Sequence, residues 1–362
     1  MNELLINKNC YPANYLRKLL IYNAFILSCI QYFLSWHIEE SGQIIRYTIA
    51  ICLLLSINYE KWDRFKLFLC IFLCIAFLYR RLLIVWTLFT LIYQIDYFKI
   101  SLKDISKISL VLVIFELFIQ IEGVLLGLFE NEGIVYMKSN TITYDLGTGN
   151  ANRCASLFLS IVILSYVIFK DRNRAIFIIF SSIIAAVSFI ITGSRTTILC
   201  IIIIIVLSII YWKIHIRNYF KYLIAIFPIL MFGLTFYLAF NLNDNKGLNE
   251  MASGRLWYIV KFTQDFTFND WLIGAPRTID EPLDSSYLEI IHTGGISLCI
   301  FLCIAYYITS IKYFNLIKPY LPIIITMLIA GLTESILLRP SDLSIIFWML
   351  MFQGIIKYKP II

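Results

Sequence analysis

The stretch AIFIIFSSIIAAVSFIITGSRTTILCIIIIIVLSIIYW, residues 175–212, decides the class of fold. It holds two apolar runs, 175–192 and 196–212, parted only by the tight turn Gly193-Ser194-Arg195. Each run is long enough to cross a hydrocarbon core of about 30 Å. In water a helix apolar on every side has too little polar surface to cover it. In lipid such a helix is the expected form, because its backbone hydrogen bonds close within itself.

Runs of the same kind recur on both sides, near 19–36, 44–59, 65–79, 82–98, 108–128, 153–170, 220–240, 285–309, 320–337 and 342–356. The whole chain of 362 residues is 60% hydrophobic and 15% charged, so no stretch is left for a separate water-soluble domain. The sequence therefore predicts an all-α polytopic integral membrane protein, one transmembrane domain over 1–362 with about twelve transmembrane helices. Arg17 and Lys18 precede the first run and no small-residue cleavage site follows it, so that run is expected to stay as an anchor.

The net charge of +7 is spread over short connections rather than gathered in one patch, which argues against a nucleic-acid partner and for a topological signal. Lys61, Arg64 and Lys66; Lys99, Lys103 and Lys107; Lys170, Arg172 and Arg174; Lys213, Arg217 and Lys221; Lys312 and Lys318; and Lys357 and Lys359 all fall on one side of a twelve-helix count. That side is expected to be the cytoplasm, with both termini there. Arg80 and Arg81 run against the pattern. The alternate connections, among them the two long polar loops 130–152 and 241–283, then face outward. Most of the nine cysteines sit inside apolar runs with no CxxC pair, and read as packing residues.

Polar residues that are costly in lipid collect at the expected outer ends of the later runs. Ser194 and Arg195 open the eighth run, where first-turn amides and a guanidinium suit a phosphate; an arginine reaching up to lipid headgroups would look the same. Ser253-Gly254-Arg255-Leu256-Trp257 opens an amphipathic helix in the loop 241–283, with Ser253 as its N-cap. Arg255 there opposes the helix dipole, so it calls for a bound pyrophosphate or for a carboxylate such as Asp280 or Glu281. Asp284, Leu288 and His292 recur every four residues, which sets two proton-accepting groups on one helical face. Asp284 is equally a good N-cap, and a lone histidine on a helix is more often structural. Glu334, in Gly331-Leu332-Thr333-Glu334-Ser335, needs a partner or a wet cavity, and Arg195, Arg255 and Arg339 are candidates. Gly147-Thr148-Gly149-Asn150-Ala151-Asn152-Arg153 either lines a sugar site, with Asn152 as a contact, or is a plain connector. Glu116, Gln120 and Glu122 in the fifth run are expected to face the protein interior. No P-loop, dinucleotide fingerprint, HExxH motif or spaced metal ligands occur, so nucleotide-driven transport and zinc hydrolysis lose support.

Gly193-Ser194-Arg195, Ser253-Gly254-Arg255-Leu256-Trp257 with Trp271-Leu272-Ile273-Gly274, and Asp284-Ser285-Ser286-Tyr287-Leu288 with Gly294 together resemble the O-antigen polymerase and ligase superfamily. The resemblance covers about 145–350 in spaced motifs, each short, specific only as an ordered set. The ligases carry a histidine where this chain has Asp284, which points to the polymerase branch. The resemblance implies a GT-C-like fold in the cytoplasmic membrane and undecaprenyl-diphosphate-linked oligosaccharides as substrates. It also implies a chain-length regulator as partner and no cofactor or metal. Arg195 and Arg255 would stabilise the leaving diphosphate, Asp284 or His292 would take the acceptor proton, and Ser194, Ser253, Tyr287, Glu334 and Asn152 would contact substrate. A ligase-like glycan transferase shares these features except at Asp284. A flippase or exporter of lipid-linked oligosaccharide, a different class, would be expected to carry charges at mid-membrane and on both faces.

Overall fold

A computed structural model describes residues 10–38, 41–57, 64–78, 82–131, 133–136, 141–148, 150–171, 173–214, 216–242, 244–245, 247, 249, 255–275, 285–338 and 341–352. Helices α1 (Cys10–His37), α2 (Ser41–Ser56), α3 (Arg64–Leu78), α4 (Leu82–Tyr97) and α5 (Leu102–Leu125) come first. A hairpin of β1 (Gly133–Tyr136) and β2 (Thr141–Tyr144) follows. Next come α6 (Ala151–Phe169), α7 (Arg174–Thr192), α8 (Arg195–Lys213), α9 (Phe220–Leu242), α10 (Arg255–Thr263) and α11 (Phe268–Ile273). The chain then runs through α12 (Ser286–Lys312), short turns over Phe314–Ile317 and Lys318–Tyr320, α13 (Leu321–Ala330) and α14 (Asp342–Met351).

Every apolar run read from the sequence falls at least in part on a helix, and among the described residues six helices, α5 to α9 and α12, are long and apolar enough to cross a membrane. α6 lies at the centre and is buried around most of its circumference. α7 and α9 bury one stripe each and turn Ile179, Ile183 and Ile190, or Ile226, Leu230 and Leu234, outward. An exposed apolar face of that extent is a fault in water and an ordinary surface in lipid. Hydroxyls inside the helices return to their own backbone: Ser28 donates to Ala24 O at 2.7 Å, Thr87 to Leu83 O at 2.7 Å, and Thr235 to Met231 O at 2.8 Å. Such bonds satisfy polar groups where no water is at hand.

Basic residues at one end of the bundle rest on aromatic rings. Lys66 sits 4.8 Å from the Tyr97 ring centroid, Lys170 4.3 Å from Tyr320, and the Arg174 guanidinium 5.5 Å from Trp212. The first turn of α3 and the connection between α6 and α7 therefore carry ring-capped cations, in keeping with a shared interface. The opposite end carries the polar motifs.

Several boundaries differ from the sequence reading. α5 starts at Leu102 rather than near 108, because Ser101 caps it, accepting from Asp104 N at 3.1 Å, and the helix runs on through Lys103 and Lys107. α13 stops at Ala330, well before 337, since Gly331 to Leu338 unwind and are held by side chains of α12 and α14. The loop 130–152 is not irregular throughout: the β1–β2 hairpin pairs Gly133 with Tyr144 and Tyr136 with Thr141. Arg80, Arg81, Asp280, Glu281, Arg339 and the proposed site residues Ser253 and Asp284 lie outside the described residues.

Candidate functional site

Ser286 is the pin of the site. Its hydroxyl donates to Glu334 O at 2.6 Å and accepts from Ile336 N at 2.9 Å and Leu337 N at 3.1 Å. Its amide reaches Gly331 O at 2.9 Å and Glu334 O at 3.2 Å. Next along the chain, the Tyr287 hydroxyl donates to Leu328 O at 2.6 Å, and from α14 the Trp348 indole donates to Leu337 O at 2.6 Å. The unwound segment after α13 thus has backbone groups satisfied by a serine and a tryptophan from two other helices, and the tyrosine holds the last turn of α13. Tyr287, expected at the substrate, is buried with its hydroxyl committed to the backbone; it positions the segment that carries Glu334.

Glu334 meets Arg255, with Oε1 and Nη2 3.2 Å apart and their side chains only 17% and 10% exposed. Arg255 starts α10, which packs through Ile259 against Ala239 of α9 and Leu288 of α12. Its unfavourable place at a helix start is offset by the Glu334 carboxylate. Removing one partner of a pair this buried leaves a charge that water cannot easily reach, a cost of about 3–5 kcal/mol.

α8 approaches from the other side. Thr197, Cys200, Ile201, Ile204 and Ser208 form its buried stripe, and it packs on α13. That helix leads into the unwound segment that carries Glu334, so α8 stands against the element before it. Ser194 is the buried N-cap of α8, with its hydroxyl accepting from Thr197 N at 3.5 Å. Arg195, the first helical residue, is off the stripe and exposed, and no carboxylate among the described residues pairs with it. A helix start with one first-turn amide capped and an exposed guanidinium beside it is suited to an anion.

His292 is not on an open surface. It is buried, its carbonyl accepts from Ala275 N at 3.0 Å, and the Phe266 ring centroid lies 5.9 Å from its own. Three residues on, α12 kinks at Gly295, where φ is 65° and ψ −164°. Gly274, with φ at 92°, ends α11 directly against that kink: a Cβ on Gly274 would stand 2.7 Å from the Thr293 carbonyl carbon, and one on Gly295 would strike the Leu272 carbonyl. The Ser297 hydroxyl ties the two elements by donating to Leu272 O at 2.7 Å. Two glycines let the backbones touch, so Trp271-Leu272-Ile273-Gly274 and Thr293-Gly294-Gly295 form one joint.

The loop before α6 is held by its own hydrogen bonds. Thr148 Oγ1 donates within it, to Asp145 O at 2.7 Å or Asn150 O at 2.8 Å, and Asn150 caps α6 by accepting from Asn152 N at 2.8 Å. Asn152 therefore sits in the first turn of α6. The sequence reading did not pair the next residue, Arg153, which meets Glu116 of α5 at 3.4 Å, with Gln120 Nε2 donating to the same carboxylate at 3.3 Å. A carboxylate and an amide one helical turn apart inside an apolar run, facing an arginine at a helix start, was the available signal.

The structure thus brings Arg255, Glu334, Ser286 and Tyr287 together and packs α8, which Ser194 caps, on α13. It leaves Arg195 at the exposed rim and holds His292 in the joint with α11. Compared with family models, curated proteins and solved structures, the chain matches none of them.

Proposed function

We propose that this chain polymerises undecaprenyl-diphosphate-linked oligosaccharide repeat units into O-antigen or another surface polysaccharide at the outer face of the cytoplasmic membrane. The observation that carries the proposal is the buried Arg255–Glu334 pair. It holds a guanidinium at the end of the bundle opposite the ring-capped lysines, where the positive-inside bias puts the outer surface. On this reading the chain has twelve spans in a GT-C-like arrangement, with both termini in the cytoplasm and a chain-length regulator as its protein partner.

In the proposed reaction a hydroxyl oxygen of the incoming repeat unit attacks the anomeric carbon of the growing chain. The bond from that carbon to the diphosphate oxygen breaks, with inversion, and the lipid diphosphate leaves with the electron pair. Arg195 and Arg255 stabilise the charge growing on the diphosphate, and Glu334 sets the direction of the Arg255 fork. Asp284 takes the hydroxyl proton. Diphosphate is a good leaving group, so neither nucleotide nor metal is needed. Ser194 and Asn152 are kept as sugar or phosphate contacts, since each opens a helix at the same end of the bundle.

Purified protein in liposomes, given an undecaprenyl-diphosphate repeat unit and no nucleotide, is expected to yield a ladder on a glycan gel. Arg195→Ala, which breaks no ion pair among the described residues, should lose the ladder while keeping the wild-type unfolding profile. Absence of a wild-type ladder, with lipid-linked sugar crossing the bilayer instead, would replace the polymerase with a flippase.

A further inference from the structure

The two short helices α10 and α11 turn outward an apolar face that the reaction above makes no use of. α10 buries Arg255, Leu256, Ile259 and Thr263 and sets Trp257, Tyr258 and Lys261 on its other side. There Lys261 Nζ stands 5.1 Å from the Trp257 ring centroid and 6.0 Å from that of Tyr258. α11 buries none of its six residues. Phe268 is 79% exposed and Leu272, one turn on, 43%. Asn269 and Asp270 take the opposite side, where Thr267 and Asp270 close a capping box.

The neighbours of this face show what covers it. Trp271 packs its ring on Phe236 and Phe240 of α9, at centroid distances of 6.1 and 6.5 Å, and Leu272 O accepts from the Ser297 hydroxyl of α12 at 2.7 Å. α11 is thus laid against two helices long and apolar enough to cross a membrane. Both turn apolar residues outward beside it, Tyr237 and Phe240 from α9, Ile296 and Ile300 from α12. Phe268 and Leu272 continue that lipid-facing surface from one helix to the other.

Depth agrees. α9 starts at Phe220, where Lys221 rests 5.1 Å from the Tyr222 ring centroid, and α12 ends at Lys312. At 1.5 Å per residue, Phe236 to Phe240 stand about 24–30 Å along α9 from its start, and Gly295 about 26 Å along α12 from Lys312. A hydrocarbon core is about 30 Å thick. Two helices of opposite direction therefore set α11 at the far rim of the hydrocarbon rather than above it. Trp, Tyr and Lys are the side chains that bridge hydrocarbon and headgroups at such a rim.

We infer that α10 and α11 form an interfacial wedge that binds the phospholipid leaflet at the end of the bundle carrying Arg255, with Phe268 and Leu272 among the upper acyl carbons and Lys261 at the phosphates. That this leaflet is the outer one rests on the orientation proposed above; the lipid contact does not. Arg255 begins α10, so the leaflet bears on the height of the guanidinium in the membrane.

An environment-sensitive fluorescent amino acid in place of Phe268, in the full chain reconstituted into phosphatidylcholine and phosphatidylglycerol vesicles, tests the wedge. Emission is expected to be lost to lipids brominated near the head of the acyl chain, less to lipids brominated near its methyl end, and retained with iodide on both sides of the vesicle. The same residue in place of Ile183, midway along α7, should reverse the lipid order, and in place of Asp244, just past α9, should lose emission to iodide. Iodide quenching at 268 without bromolipid quenching overturns the inference. So does silence to both quenchers, which would mean that another part of the protein or a second copy covers the face. A glycan ladder without bromolipid quenching would remove the wedge and leave the polymerase, whereas quenching without a ladder would do the reverse.

Discussion

Arg255 and Glu334 are 79 residues apart along the chain and 3.2 Å apart in space. The contact ties the helix that begins in the long loop to the unwound end of α13, and with it the two halves of the proposed diphosphate site. Its carboxylate comes from a segment whose backbone is pinned by Ser286, so the guanidinium inherits its direction from a serine on a third helix.

Single changes in this pair should cost more than the pair is worth. Glu334→Gln and Arg255→Met are each expected to lower stability by about 3 kcal/mol, measured by denaturant unfolding in micelles. The double variant Arg255→Met/Glu334→Leu should recover most of that loss while remaining inactive. Additive losses in the double variant would show that the two groups act independently.

Ser286→Ala removes one donor and two acceptor contacts at once. With the Leu337 amide left without its bond, and the Ile336 amide and Glu334 carbonyl each losing one of theirs, a loss of about 1–3 kcal/mol is expected. Because Ser286 touches no substrate in the proposed site, polymer yield per folded molecule should fall with loosened Glu334 geometry, whereas substrate binding at Arg195 persists. An unfolding curve that matches wild type would refute the role given to this serine.

Gly295→Ala and Gly127→Ala separate two costs that glycine avoids. Both positions have positive φ, 65° and 70°, but a Cβ at Gly127 meets open space while one at Gly295 meets the α11 backbone. Gly127→Ala should cost about 1 kcal/mol from backbone conformation alone. Gly295→Ala should cost clearly more, or fail to give folded protein, because α11 must move. Equal effects in thermal unfolding would mean that the joint is not tight.

Arg195→Lys keeps the charge and loses the fork. It is expected to leave stability within about 0.5 kcal/mol and to reduce polymer formation by about ten- to a hundredfold, the deficit of a point charge where paired donors served a diphosphate. Full activity in the lysine variant would remove Arg195 from the proposed chemistry.

Helix placement was largely legible, because runs such as 196–212 have no other physical reading and each fell at least in part on a helix. Ends were less so. The sequence shows where apolar residues stop, but α5 extends past Lys107 to a Ser101–Asp104 cap, and α13 gives up its last turns to bonds from Ser286 and Trp348. A side chain that takes backbone groups from a distant segment leaves no local pattern. For the same reason Glu334 was read as needing an arginine without the right one being singled out from three. His292 was singled out by type and spacing and Tyr287 by the resemblance, and both turn out to be buried, Tyr287 with its hydroxyl on Leu328 O. Spacing reports which face a residue shares, and says nothing of what covers that face.

The bend at Gly295 divides one long helix into two lengths with separate attachments. Ser286 to Gly294 are bound to α11 and to the segment carrying Glu334, whereas Leu298, Leu302, Ala305, Tyr306 and Thr309 are packed in the bundle nearer the ring-capped lysines. A single glycine's torsions therefore part the length that holds the Glu334 segment from the length that packs in the bundle. On the proposed function, the first length would meet the bulky, growing sugar while the second would stay with the membrane-spanning bundle.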